Sequence, residues 1–350
     1  MHDASGESQI RALAEAVPLA VLVVSRAERI VVANAAACAM LGSNPEGRPF
    51  VTFLRQPAIG DAVEGALREG RAAKVRVTIA GGRDARGEIV TQLSVAPLSG
   101  SHAALVFEDI SAQENAEVIR REFVANVSHE LRTPLTALLG FIETLKGAAK
   151  DDPVARERFL DIMAREAGRM NRLVADLLSL SRVEAEERRR PTGRVDVVGL
   201  VQSSLMTLRA QAREAGVDLH AEGIEAPLPV PGDPDQLTQV IHNLIENAVK
   251  YGGSGGEVRV RLSRVEHEPV LRGPALQIEV IDRGEGIDPI HLPRLTERFY
   301  RVDNHRSREK GGTGLGLAIV KHIIARHRGR MKIDSEKGRG SRFIVLLPMG

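Results

Sequence analysis

Two clusters of residues stand out for their side-chain chemistry and their intervals along the chain. His129 sits in the run Ser128, His129, Glu130, Leu131, Arg132, Thr133, Pro134. If this run is helical, residues three and four apart share a face, so His129, Arg132 and Thr133 project together. Glu130 follows the histidine directly and can reach back to it. A carboxylate that holds one ring proton fixes the tautomer and leaves the other nitrogen as a nucleophile. Pro134 removes the hydrogen bond owed to the Glu130 carbonyl, which predicts a bent or loosened helix just past the histidine. A lone helical histidine is usually structural or solvated, and nine others occur in the chain. Spacing alone therefore leaves both readings of His129 open.

A second constellation could hold a phosphorylated ligand. Asn243, Asn247 and Lys250 fall at spacings of four and three, on one face of a predicted helix from Asp233 to Tyr251. Asparagine oxygens suit hard Mg²⁺ without adding charge, and a lysine offsets phosphate charge. The strand-like run Leu276 to Ile281 ends in Asp282, followed by Gly284 and Gly286. An acid at a strand end with two glycines beyond it allows close backbone approach and accepts hydrogen bonds. Gly312, Gly314 and Gly316 then open a predicted helix through Ile324, where free N–H groups suit phosphate oxygens. The glycines lack the lysine of a P-loop. A dinucleotide site, with Asp334 as its ribose acid, is the competing reading. The charged lead-in from Arg301 to Lys310 is not the strand that a dinucleotide site needs.

The elements that must position these groups fall into three segments. Residues 10–110 alternate a strand pair (Val21 to Val24, Ile30 to Ala33), helices near Ala35 to Leu41 and Ile59 to Glu69, and three strands near Lys74, Glu88 and Ala103. That is an α+β pattern with antiparallel pairing. Residues 111–190 are helical, from about Asn115 to Leu145 and again along a seam of Phe159, Ile162, Met170, Leu173, Leu177 and Leu180. Two amphipathic helices cannot bury their stripes alone, so pairing with a second copy into a four-helix bundle is expected. The charged stretch from Glu184 to Gly193 reads as a linker. Residues 194–350 mix helices near Val197 and Asp233 with strands near Glu257, Leu276, Met331 and Phe343.

Composition narrows the function classes. The 350 residues carry 48 basic and 46 acidic side chains, and aromatics make up only 3%. No basic tract is interleaved with stacking rings, so nucleic acid is not an expected partner. The single cysteine, Cys38, lies in an apolar helical run and reads as a small core residue in a reducing compartment. No apolar run approaches the ~20 residues that span a bilayer. The expected location is the cytoplasm, with membrane anchoring of a longer protein left open.

The motifs together resemble the sensor histidine kinases of two-component systems: the box around His129 with Leu138 to Leu145 behind it, the asparagine helix, the Asp282 loop, the segment Arg294 to Arg301, and the glycine loop. The resemblance implies a multidomain α+β protein. It would have a PAS-like domain, a helical dimerisation and phosphotransfer hairpin, and a C-terminal α/β sandwich of the kind shared with gyrase and Hsp90. It implies that His129 is phosphorylated from ATP, that Glu130 is its acid/base partner, and that Thr133 orients water in the reverse, phosphatase direction. It implies Asn247 as the Mg²⁺ ligand, with Asn243 and Lys250 on phosphates and Tyr251 near the nucleoside. Asp282 would take the adenine amino group between Gly284 and Gly286. Arg301, Gly312, Thr313, Gly314, Leu315 and Gly316 would close over the triphosphate. Partners would be a second copy and the receiver domain of a response regulator. The segment around Phe299, with Leu54 to Ile59, looks like the phosphate-regulon sensor branch and implies phosphate-starvation signalling. A conformational-clamp ATPase of the same superfamily, or a non-catalytic scaffold, are the alternatives.

Overall fold

Residues 3–80, 88–98, 102–187, 189–303 and 312–349 are described in the computed structural model. The expected charged loop from Asn304 to Lys310, and Gly311, lie outside the described residues. The chain divides into two units, residues 1–125 and 126–350.

In the first unit a helix, α1 (Asp3–Ala16), precedes β1 (Ala20–Ser25) and β2 (Ile30–Ala33), then α2 (Ala35–Leu41) and α3 (Pro57–Glu69). The strands β3 (Ala73–Ala80), β4 (Glu88–Leu98) and β5 (His102–Asp109) complete an antiparallel sheet of order β2-β1-β5-β4-β3. Alternation along β5 turns Ala103, Leu105 and Phe107 inward, where they meet Leu22, Ile30, Leu93 and Ile59 of α3. Burying one of the leucine, isoleucine or phenylalanine side chains contributes about 2 kcal/mol. Cys38 packs against this core, as its run suggested. The Asn34 side chain is buried and satisfied: it accepts from the N–H of Val21 and of Ala37 and donates to the carbonyls of Ala14 and Leu19. One residue thereby caps α2 and ties α1 to the sheet.

The helix α4 (Ser111–Lys146) runs on from the first unit into the second, where it forms a hairpin with α5 (Pro153–Glu186). Asp152 caps α5 by accepting from the N–H of Val154 and Ala155, with Pro153 in the first turn. Phe141 and Phe159 stack at 5.3 Å between centroids. Pro134 lies inside α4, which continues on both sides of it without interruption, so the expected loosening does not break the helix. Only one ladder bond is lost, and the proline ring is buried.

The remaining chain is a two-layer sandwich. Three short elements that periodicity did not announce are β6 (Arg194–Asp196), β7 (Asp218–Glu222) and β8 (Pro229–Pro231); α6 (Val197–Glu214) follows β6. Then come α7 (Pro234–Gly252), β9 (Glu257–Glu268), β10 (Gly273–Asp282), α8 (Gly316–Arg326), β11 (Arg330–Glu336) and β12 (Gly340–Pro348). The sheet order is β11-β12-β10-β9-β7, antiparallel except for the β7–β9 pair. Leu237, Ile241, Leu244 and Ala248 of α7 and Ile319, Ile323 and Ile324 of α8 are buried, as are Val258, Val260, Ile278 and Val345 of the sheet. A mostly antiparallel sheet excludes the dinucleotide fold, and Asp334 is engaged by Arg342 at 2.9 Å and by Lys332. Among the described residues, no helix is long and apolar enough to cross a membrane.

Candidate active site

A cavity of about 430 Å³ opens where α7, the end of β10, residues 295–303 and the start of α8 converge. The apolar stripe of α7 faces the sheet, so its opposite edge presents Asn243, Asn247, Lys250 and Tyr251 to this space. Asn243 donates to the Gly316 carbonyl at 3.4 Å, which ties α7 to the first residue of α8. Lys250 pairs with Glu246 at 2.9 Å.

Asp282 ends β10 and is 6% exposed. Its carboxylate accepts the N–H of Gly284 at 2.9 Å and of Ser341 at 3.3 Å. Burial pushes this carboxyl above the ordinary range, against the pull of those hydrogen bonds. The backbone comes close enough that side chains would collide. A Cβ on Gly252 would lie 2.3 Å from the Asp282 Cβ, and one on Gly284 would lie 2.6 Å from the Gly252 Cα. Gly286 has φ +66°, and a Cβ there would lie 2.0 Å from the Glu336 carbonyl oxygen. Gly286 lines the cavity; Gly284 shapes it from behind.

At the far end, Gly312, Thr313, Gly314 and Gly316 line the cavity. Gly314 (φ +74°) packs on the Phe299 backbone, and its carbonyl accepts the Phe299 N–H at 2.8 Å. Leu315 is fully buried and turns into the core rather than the cavity, and its N–H donates to Thr313 Oγ1 at 3.3 Å. Arg301 lines the cavity and donates to the Gly312 carbonyl.

His129 lies on α4 with its side chain exposed. Thr133 Oγ1 donates to the His129 carbonyl at 3.2 Å. The Glu130 carboxylate accepts from Arg169 of α5 at 2.8 Å and from Arg301 at 3.3 Å. The residue beside His129 is thus bonded to a residue of the cavity wall. The helix α5 also reaches the cavity through Arg172, Ala175 and Asp176. Sequence reading overlooked Asp176, Arg169 and Gly252. The two charged residues lie on a coiled-coil helix whose polar face reads as solvated, and only the Gly252-Gly253 pair after Tyr251 was a visible local signal.

A sandwich carrying this cavity, joined to a helical hairpin, defines an ATPase-type domain coupled to a helix-borne histidine. Residues 232–350 match the family described as histidine kinase-, DNA gyrase B- and HSP90-like ATPase. Residues 119–186 match the His Kinase A (phospho-acceptor) domain, and residues 8–72 match a PAS domain. The chain belongs to the sensor histidine kinases. It is 44% identical over 243 residues to the phosphate regulon sensor protein PhoR of Pseudomonas aeruginosa, covering 69% of this chain and 53% of the relative. It is 37% identical over 246 residues to the sensor-like histidine kinase SenX3 of Mycolicibacterium smegmatis, covering 70% of this chain and 62% of the relative. The chain therefore spans 53% and 62% of the lengths of these two relatives. The solved structure of histidine kinase ThkA in complex with the response regulator protein TrrA aligns with TM-score 0.53 and 19% identity, over 97% of this chain and 98% of that one. That likeness concerns the fold alone.

Proposed function

We propose that this protein transfers the γ-phosphoryl group of ATP to His129 and then to an aspartate in the receiver domain of a response regulator. One observation carries the reading: Arg301, a cavity residue, is hydrogen-bonded to Glu130, the immediate neighbour of His129. The cavity and the imidazole are therefore neighbours within one chain.

The residues fit a purine nucleoside triphosphate. Asp282 is a buried acceptor suited to an exocyclic amino group, with Gly252, Gly284 and Gly286 keeping the backbone close. Tyr251 flanks the nucleoside. Asn243 and Lys250 face the middle of the cavity, and the N–H groups opening α8 face its far end, where phosphate oxygens suit them. Arg301, Gly312, Thr313, Gly314 and Gly316 line that end, with Leu315 anchoring the turn from the core. Asn247 would hold Mg²⁺ through its amide oxygen, and the ion, when bound, offsets phosphate charge.

In the transfer, one ring nitrogen of His129 forms the N–P bond while the bond from the γ-phosphorus to the bridging oxygen breaks and ADP leaves. The imidazole proton passes to Glu130, which also holds the tautomer. Thr133, one turn on, orients water for the phosphatase direction. The hairpin leaves Leu135, Leu139, Leu160 and Leu178 exposed, which supports a homodimeric four-helix bundle. The functional division is a PAS-like sensor over residues 10–110, a phosphotransfer hairpin over 111–190 and a catalytic domain over 194–350. Similarity to the phosphate regulon sensor supports a role in phosphate-starvation signalling.

The test is radiolabelling from γ-labelled ATP. Wild type takes up acid-labile, alkali-stable phosphate, and His129→Ala takes up none while still binding ATP. Label that persists on His129→Ala would falsify the assignment.

A further inference from the structure

One wall of the cavity comes from the hairpin. Arg172, Ala175 and Asp176 lie along one side of α5 at spacings of three and one, and all three line the cavity. Asp176 makes a bond across the gap: its Oδ2 accepts from Thr313 Oγ1 at 2.7 Å. The same hydroxyl oxygen accepts the Leu315 N–H at 3.3 Å. A hydroxyl has one hydrogen to give, so the carboxylate orients it and leaves its lone pair for the backbone. A relay thus runs from the Leu315 backbone through Thr313 to Asp176, with Thr313 and Asp176 137 residues apart in sequence.

The backbone at the end of that relay opens α8. Leu315 directly precedes Gly316, the first residue of the helix, and Gly314 is held on the Phe299 backbone. The turn that presents N–H groups to the cavity is therefore gripped on one side by Phe299 and on the other by Asp176. Burial pushes the Asp176 carboxyl up, the Thr313 hydrogen bond pulls it down, and Glu246 pushes it up again against Lys250 and Arg172. A carboxylate on the wall of an anion-binding cavity works against the ligand unless it has another task. Orienting Thr313 is such a task.

We propose that Asp176 is a positioning residue for phosphoryl transfer, which through Thr313 fixes the turn at the start of α8 when the hairpin lies against the catalytic domain. The proposal rests on the reading of His129 and the cavity given above. Its effect falls on transfer more than on nucleotide capture, because Asp282 and the α7 side chains line the cavity from elements other than α5. Phosphate is then held in transfer geometry only while the hairpin that bears the histidine is alongside.

The full chain tests this with two readouts. At saturating ATP and Mg²⁺, Asp176→Ala lowers the autophosphorylation rate roughly tenfold, the loss of one charge-assisted hydrogen bond. Its ATP affinity falls by less than the transfer rate does, since Asp282 and the α7 side chains still hold the nucleotide when the turn is loosened. Asp176→Asn, whose amide oxygen still accepts from Thr313, recovers most of the rate. Hydrogen exchange over residues 313–317 reads the anchor without any catalysis: faster in Asp176→Ala, close to wild type in Asp176→Asn. Unchanged exchange in Asp176→Ala overturns the proposal, as does an Asn variant as slow as Ala. An Ala variant that binds ATP more tightly and transfers faster also overturns it, because the carboxylate would then be acting by repulsion. A wild-type chain that fails to label defeats the reading of His129 instead, and the exchange data still decide the anchor.

Discussion

Glu130 on α4 and Arg301, 171 residues further along the chain, form a hydrogen-bonded ion pair at 3.3 Å. Both side chains are largely withdrawn from water, 16% and 6% exposed, and Arg169 completes the group from α5 at 2.8 Å. The carboxylate beside His129 is thus shared by the hairpin and the cavity wall. A charge in such a setting is costly to leave without its partners.

Removing Arg301 tests that cost. Arg301→Ala is expected to destabilise the folded chain by roughly 2 kcal/mol, the worth of hydrogen bonds to charged groups. Chemical denaturation with a two-partner control, Arg301→Ala combined with Glu130→Gln, measures it. The double variant should lose less than the sum of the Arg301→Ala and Glu130→Gln single variants, since both remove the same bond while Arg169 stays beside position 130. A single variant as stable as wild type would mean the pair contributes nothing.

The approach of Gly252 to Asp282 makes a steric prediction. A methyl at Gly252 would lie 2.3 Å from the Asp282 Cβ and 2.4 Å from its Cγ, so the carboxyl must move. Gly252→Ala should weaken ATP binding by at least about tenfold, because a displaced buried acceptor strands the group it serves. Titration calorimetry decides it; wild-type affinity would show that Asp282 is not the adenine contact.

Asp282 itself separates stability from binding. Its carboxyl is raised by burial, so the charged form is disfavoured in the folded state. Stability from this group is full below the ordinary value near ~4 and is lost as pH rises through the higher folded value. Asp282→Asn keeps an oxygen for the Gly284 N–H and removes the charge. At pH 7 the variant should melt no lower than wild type while losing ATP binding. A lower melting temperature would contradict the burial argument.

His327 gives the opposite pH dependence. It is 1% exposed, with Nδ1 against the Ile323 carbonyl at 2.8 Å and Nε2 accepting the Asp233 N–H at 3.0 Å. Burial lowers its pKa, helped by Arg326 and Arg190 and opposed by the Ile323 hydrogen bond and by Asp233. Protonation would set a second donor against the Asp233 N–H. Stability from this histidine is full above the ordinary value near ~6.5 and falls as pH drops from there through the lower folded value. Thermal melts from pH 7 to about pH 5 should decline in wild type more steeply than in His327→Gln. Parallel slopes would remove His327 as the source.

Much of this site was legible because its parts are local. Asn243, Asn247 and Lys250 share a face through helical spacing, Asp282 ends an alternating strand, and glycines mark the opening of α8. Each needs only a few consecutive residues to be read. The helix α1 and the strands β6, β7 and β8 were not legible: β7 is a five-residue strand without clean alternation, and β8 is Pro-Val-Pro. Their conformation depends on neighbours such as β9, with which β7 pairs in parallel.

The sequence by itself determined which groups stand together on each element: the histidine with its glutamate and threonine, the asparagines with the lysine, the acid with its glycines. Tertiary structure alone decided what those groups meet. Glu130 bonds Arg169 and Arg301, Thr313 bonds Asp176, and Gly252 leaves room for Asp282. Spacing along one helix or strand follows from a fixed rise and turn per residue. A contact between residues on different elements, from 30 to 171 positions apart, depends instead on how every intervening element packs, and no short window of residues contains that information.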